Sequence, residues 1–274
     1  MNSRAKWILP IVTGVVLLGL WMLAKYTLGY LLPAHSADNP LVPLPAYLLP
    51  GPLEVVQAFM EERVILAGAA WDTLRAAAAG FIAAAGFGFA IALLLGNSLQ
   101  LRTAFYPWIV FFQMVPVIVV APIIVIWIGS GITSVALITF MISFFPVVAN
   151  TTQGLLSVEA NRLDLFRLYN ARWWQTLLLL RVPNALPYFF TGLQIASSLA
   201  VIGALTGEIF IGSASSTGGL GFRIIVYKSQ FKIPALFATA FTACLLGFAF
   251  VGIVAWLRWL ALRHWHESIR RKDV

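Results

Sequence analysis

Few residues in this chain of 274 are placed to do chemistry. His264 and His266 stand two apart, so on a helix their side chains diverge by about 200° and do not make a metal pair. The third histidine, His35, lies far off in the sequence, and no Ser-His-Asp arrangement can be assembled. Cys244 is the only cysteine, which excludes an internal disulfide and any multi-cysteine metal site. A phosphate-binding loop needs Gly-Lys-Ser/Thr. The only lysine followed by Ser or Thr is Lys228, and Tyr227 precedes it.

What remains is a set of polar side chains inside apolar sequence. Glu208 admits two readings. It lines a gate or touches a substrate, or it pairs with a basic residue of the following loop, such as Arg223. Asp72 and Arg75, one helical turn apart, read as a pair, and Lys25 can snorkel along its stem. Gln113, Met114, Pro116 and Pro122 share one apolar stretch. A proline there frees backbone carbonyls, which suits either a kinked helix beside a wet pathway or a merely bent packing helix. Gln194, Ser197 and Ser198 form a polar patch that lines a route or bonds neighbouring helices. Gly80, Gly86 and Gly88 read as sites of close helix packing.

The elements that carry these residues follow from composition. Of the chain, 61% is hydrophobic and 10% charged, and mean hydropathy is +0.90. Soluble domains run nearer 45–50% apolar and about 25% charged. A water-soluble enzyme is excluded, and so is disorder, which needs the opposite balance. Six segments are long and apolar enough to cross a hydrocarbon core of ~30 Å: 7–32, 71–96, 105–128, 132–152, 186–211 and 234–257. They lack the strict alternation of a membrane barrel strand. The expectation is an all-α integral membrane protein with six transmembrane helices in a single transmembrane domain over 1–274. The first segment continues past Lys25 without a small-residue cleavage site, so it reads as a retained helix.

The 18 basic residues set the orientation. With the N-terminus in the cytoplasm, twelve fall inside and four outside (Arg63, Arg223, Lys228, Lys232), with Lys25 and Arg75 at span edges. Both termini are therefore expected in the cytoplasm. The net charge of +8 orients the chain and meets anionic headgroups, and no nucleic acid need be invoked. An external piece, 33–70, holds a proline-rich stretch and then a short helix from Leu53 to Arg63, with Pro52 fitting its first turn. A second external piece, 212–233, opens with a run rich in Gly and Ser.

The cytoplasmic piece 154–183 is the most informative. Leu163, Phe166, Leu168 and Tyr169 interleave with Arg162, Asp164 and Arg167, and Trp173, Trp174, Leu177 and Leu178 follow. The pattern is an amphipathic helix, a break at Asn170, and a second apolar helix. Asn tolerates the left-handed conformation that ends helices. Aromatic knobs on a short helix suit insertion into a partner's groove.

Here the sequence resembles the permease subunits of bacterial ABC importers. Their cytoplasmic loop carries Glu-Ala-Ala, three residues, Gly, nine residues, then Ile-x-Leu-Pro. In this chain the register falls on Asp164-Leu165-Phe166, then Asn170, then Leu180-Arg181-Val182-Pro183, with the spacing kept and several residue types changed. Leu49-Pro50-Gly51-Pro52-Leu53-Glu54-Val55-Val56, Trp71-Asp72-Thr73-Leu74-Arg75 and Gly207-Glu208-Ile209-Phe210 resemble one branch, which includes nitrate, sulfonate, taurine, riboflavin and thiamine-precursor importers. The run from Asp164 to Asn170 and Trp265-His266-Glu267-Ser268 look closer to the vitamin and pyrimidine members.

The resemblance implies a type I importer permease fold in the bacterial inner membrane, with a coupling helix between the fourth and fifth spans. It implies a second permease copy as a homodimer, two ATPase subunits that hold ATP and Mg²⁺, and an external substrate-binding protein. Asp164, Leu165, Phe166, Arg167, Tyr169 and Asn170 would contact the ATPase. Gln113, Met114, Pro116, Gln194, Ser197, Ser198 and Glu208 would line the pathway. The substrate would be a pyrimidine or thiamine precursor, riboflavin, a sulfonate or nitrate. No residue would be catalytic and no cofactor would be held by this chain. A membrane-embedded enzyme or a secondary transporter are the alternatives, but neither paired titratable residues nor inverted repeats are evident.

Overall fold

The structure, a computed structural model, describes residues 5–31, 48–211 and 218–263. The regular structure of those residues is helical. In chain order the helices are α1 Ala5–Leu31, α2 Pro52–Glu61, α3 Arg63–Asn97, α4 Leu99–Met114, α5 Val117–Ile128, α6 Ile132–Leu156, α7 Ala160–Leu168, α8 Trp173–Ile211, α9 Leu220–Ser229 and α10 Ile233–Leu262. Among the described residues α3, α6, α8 and α10 are each long and apolar enough to span a bilayer, and α4 with α5 make a fifth candidate if the bent pair counts as one span. In α1 the apolar run is Val12–Thr27. Large apolar side chains such as Phe87, Ile126, Trp127 and Phe248 face outward. A soluble protein would not leave such a surface in water. His35, His264 and His266, the proline-rich stretch 33–47 and the expected end of the first span lie outside the described residues.

The chain divides into two compact units. The larger is drawn from Gly68–Phe222 and Ala243–Val274. At its centre is α6, approached on two sides through glycines. On α3, Gly80, Gly88 and Gly96 lie against Thr139, Val147 and Leu155 of α6, each eight residues further on. Ala76, Ala84 and Ala92 fill the alternate turns and are fully buried. The result is a stripe of small residues every fourth position, which lets two backbones come close where lipid offers no hydrophobic drive. A Cβ on Gly80 would sit 2.5 Å from the Ala136 carbonyl oxygen. On the other side, Gly192, Gly203 and Gly207 of α8 meet Pro146, Thr139 and Val135 of α6. Gly86 faces open space, so that packing expectation is corrected.

The third expected span, 105–128, is not continuous. Helix α4 stops at Met114, α5 begins at Val117, and their axes differ by 94°. Pro116 is the cause. It has no N–H to give, and it forces the preceding Val115 into extended backbone (φ −66°, ψ 122°). Pro107 and Pro122, by contrast, sit within their helices.

The fifth span also departs from expectation. The second apolar helix of the loop and the span itself form one 39-residue helix, α8. Pro183 and Pro187 do not interrupt it. Leu177–Arg181 adopts a π-helical turn just before Pro183, which re-routes backbone bonds where the ring removes a donor.

The smaller unit is drawn from Met1–Ala67 and Arg223–Thr242. Trp21 of α1 stacks on Phe237 and Phe241, with centroids 6.2 and 6.3 Å away. Lys25 does not simply snorkel: its ammonium pairs with Glu54 of α2. The same carboxylate accepts the Gly51 N–H (3.0 Å) at the start of α2, where Pro52 is the first residue. The Lys25 hydrogen bond, then the Gly51 N–H, hold the Glu54 carboxyl below the usual carboxylate range. The buried Tyr227 hydroxyl donates to Glu62 (3.0 Å). Burial and the Glu62 charge push its pKa up to about 12.

Candidate functional site

The residues expected to meet an ATPase lie on and just after α7, a nine-residue helix with no buried residue. Leu165, Leu168 and Tyr169 are exposed, Leu168 and Tyr169 by about four-fifths, and Phe166 is half-buried. Asp164 pairs with Arg167 one turn on (2.9 Å), which steadies the helix without covering its apolar tips. Asn170 ends it at φ +50°. Its N–H bonds Arg167 O and the next amide, Ala171, bonds Phe166 O, both at 3.0 Å. This is the six-to-one closure of a Schellman turn. Two residues later α8 begins, with Gln175 accepting the Arg172 N–H (2.7 Å).

That segment is tied firmly to the bundle. Asn184 of α8 donates to Gly154 O and Ser157 Oγ, both at 3.0 Å, at the end of α6. Arg181 donates to Gly96 O (2.9 Å), capping the C-terminal end of α3, where a cation is favoured by the helix dipole.

At the far end of α8 lies Glu208, 4% exposed. The alternative that paired it with a loop cation is corrected: the loop supplies a backbone N–H. Glu208 Oε2 accepts the Gly221 N–H (2.9 Å) and stands 3.0 Å from the Thr73 hydroxyl. Thr73 Oγ1 in turn accepts the Leu220 N–H (2.9 Å). The first two amides of α9, which have no partner within their own helix, are thus met by side chains of α3 and α8. Glycine at 219 leaves room for this carboxylate, since a Cβ there would fall 1.9 Å from Glu208 Oε1 and displace it. Gly218 stands at φ +64°.

The other expected pathway residues are scattered. Gln113, Met114 and Pro116 are exposed at the break between α4 and α5. Gln194 accepts from Arg258 of α10 (2.5 Å). Ser197 is buried and bonds the Gln194 carbonyl within its own helix (2.7 Å), while Ser198 is exposed. The structure does not bring these groups together. Instead an open cleft of about 790 Å³, lined by Arg102, Tyr106, Asn150 and Gln153 among others, lies between α4 and α6. Sequence reasoning missed these four and Thr73. Arg102 is one of the twelve basic residues counted as inward and carries no other sequence signal, and nothing in the sequence joins Thr73 to a carboxylate 135 residues away. Asp72 and Arg75 form the expected pair.

Apolar helices long enough to span a bilayer, with a short exposed helix inserted between two of them, define a multi-pass membrane protein. Residues 76–260 match the family described as binding-protein-dependent transport system inner membrane component, and the chain belongs to that family. A probable ABC transporter permease protein of Haemophilus influenzae is 32% identical over 229 residues, 84% of this chain and 92% of that protein. The formylaminopyrimidine transport permease protein ThiX of Halalkalibacterium halodurans is 36% identical over 202 residues, 73% of this chain and 79% of its own. The riboflavin transport system permease protein RibX of Chloroflexus aurantiacus is 32% identical over 246 residues, 88% of this chain and 89% of its own. The chain is therefore a permease subunit of an ABC importer, a multi-pass inner-membrane protein and a transport subunit rather than a catalytic one.

Proposed function

We propose that two copies of this chain form a substrate pathway across the inner membrane and are driven by two separate ATPase subunits that grip α7. The observation that carries this reading is the exposed apolar edge of α7, with Leu165, Leu168 and Tyr169 uncovered beside a rigid Schellman turn. Helix-in-groove docking uses such knobs. The distribution of basic residues supports placing α7 and both termini in the cytoplasm. An external binding protein delivers the substrate. The names of ThiX and RibX support a small heterocyclic solute, a pyrimidine or a flavin, and sulfonates stand next. The cleft at Arg102, Tyr106, Asn150 and Gln153 is the part of the pathway that opens toward the ATPase side.

The test is the Phe166→Ala/Tyr169→Ala double variant, purified with a partner ATPase and binding protein. Transport per ATP hydrolysed is expected to fall at least about tenfold, the size of a typical coupling energy. Unchanged transport per ATP, or an unaltered chain that brings down no ATPase, overturns the reading.

A further inference from the structure

We infer that Glu208 is a positioning residue for transport: with Thr73 it clamps the first amides of α9 to the end of α8, so that displacement of α8 is carried directly to the segment beginning at Gly218. The inference rests on the permease reading above and adds a joint to it.

Three helices meet at one carboxylate oxygen. Glu208 belongs to α8, Thr73 to α3, and Leu220 and Gly221 to α9. The Thr73 hydroxyl has one proton, within reach of both Ala69 O (3.1 Å) and Glu208 Oε2 (3.0 Å). Donation to the carboxylate is the stronger choice. The oxygen then accepts two donors, and Thr73 accepts a third from Leu220. Every member is buried: Thr73 and Leu220 are 0% exposed. A carboxylate is costly among apolar helices unless its partners are fixed in place. Here they are the Thr73 hydroxyl of α3 and the Gly221 amide, the latter at the positive end of α9.

The local sequence serves the same joint. The carboxylate occupies the space that a side chain at Gly219 would take, and a Cβ on Gly221 would fall 2.3 Å from Leu205 O. Packing of α3 does not depend on the clamp, because the glycine stripe holds α3 against α6 separately. The clamp therefore acts on the start of α9, and the contact between α3 and α6 stands apart from it.

The experiment uses the full complex of permease, ATPase and binding protein in proteoliposomes. Thr73→Val keeps shape and removes both hydrogen bonds, Thr73→Ser keeps the hydroxyl, and Gly219→Ala pushes the carboxylate aside. For Thr73→Val and Gly219→Ala, transport per ATP is expected to fall about tenfold. Copurified ATPase, basal hydrolysis and the binding-protein concentration for half-maximal rate should stay within about twofold, and Thr73→Ser should restore transport. Full transport in Thr73→Val overturns the inference. So does equal loss in Thr73→Ser, or failure of Thr73→Val to assemble, since either makes the site a packing element. Absence of ATPase from the unaltered complex fails the permease reading instead.

Discussion

The amide of Ala171 bonds the carbonyl of Phe166 at 3.0 Å, across an asparagine in the left-handed conformation. The bond fixes the angle at which the exposed α7 leaves the bundle, because α8 starts only two residues later.

Asn170 should therefore tolerate glycine and little else. Asn170→Gly removes the Cβ conflict and is expected to leave transport per ATP unchanged. Asn170→Val places a β-branched residue at φ +50°, at about 1–2 kcal/mol. Hydrogen exchange on residues 160–171 should speed up in the valine variant and not in the glycine one.

Gly80 and Gly86 separate close packing from mere composition. Gly80→Ala forces a methyl into the Ala136 carbonyl and Thr139, and is expected to cost about 2–3 kcal/mol. Gly86→Ala meets nothing and should be neutral, or stabilising by about 0.5–1 kcal/mol through backbone entropy. Thermal unfolding in detergent, followed by tryptophan fluorescence, compares the two directly.

Tyr227 predicts an alkaline weakness. Its folded pKa is raised from the ordinary 10.0 to about 12, so the fold favours the neutral phenol. As pH rises through 10 the unfolded chain ionises first, and stability falls until about pH 12. Tyr227→Phe should cost about 1 kcal/mol at pH 7 for the lost hydrogen bond and should flatten the difference in melting temperature between pH 9 and 12.

What the sequence disclosed was local. Hydropathy marked the spanning helices, Pro52 marked the start of α2, and Asn170 marked the end of α7, because each depends on its own backbone preferences. The turn at Val115 and Pro116 was harder to read. A proline kinks or breaks according to what its freed carbonyls find nearby, and apolar sequence on both sides looks the same in either case. Continuity of α8 through Pro183 needed the π-turn, a matter of bond routing rather than residue type. The clamp was hidden for a third reason: its members are 13 to 147 residues apart, and a buried carboxylate does not name its donors. The reading that offered Arg223 as a partner followed charge, whereas the fold satisfied Glu208 with a hydroxyl and an amide.

The unbroken run of α8 sets a mechanical scale. At 1.5 Å per residue its 39 residues extend about 58 Å, nearly twice the ~30 Å hydrocarbon thickness. A straight helix of that length pivoting by about 10° around its midpoint swings its two tips in opposite directions by about 5 Å each. One see-sawing helix would thus report an event on one face of the membrane to the other, with no relay of smaller parts between them.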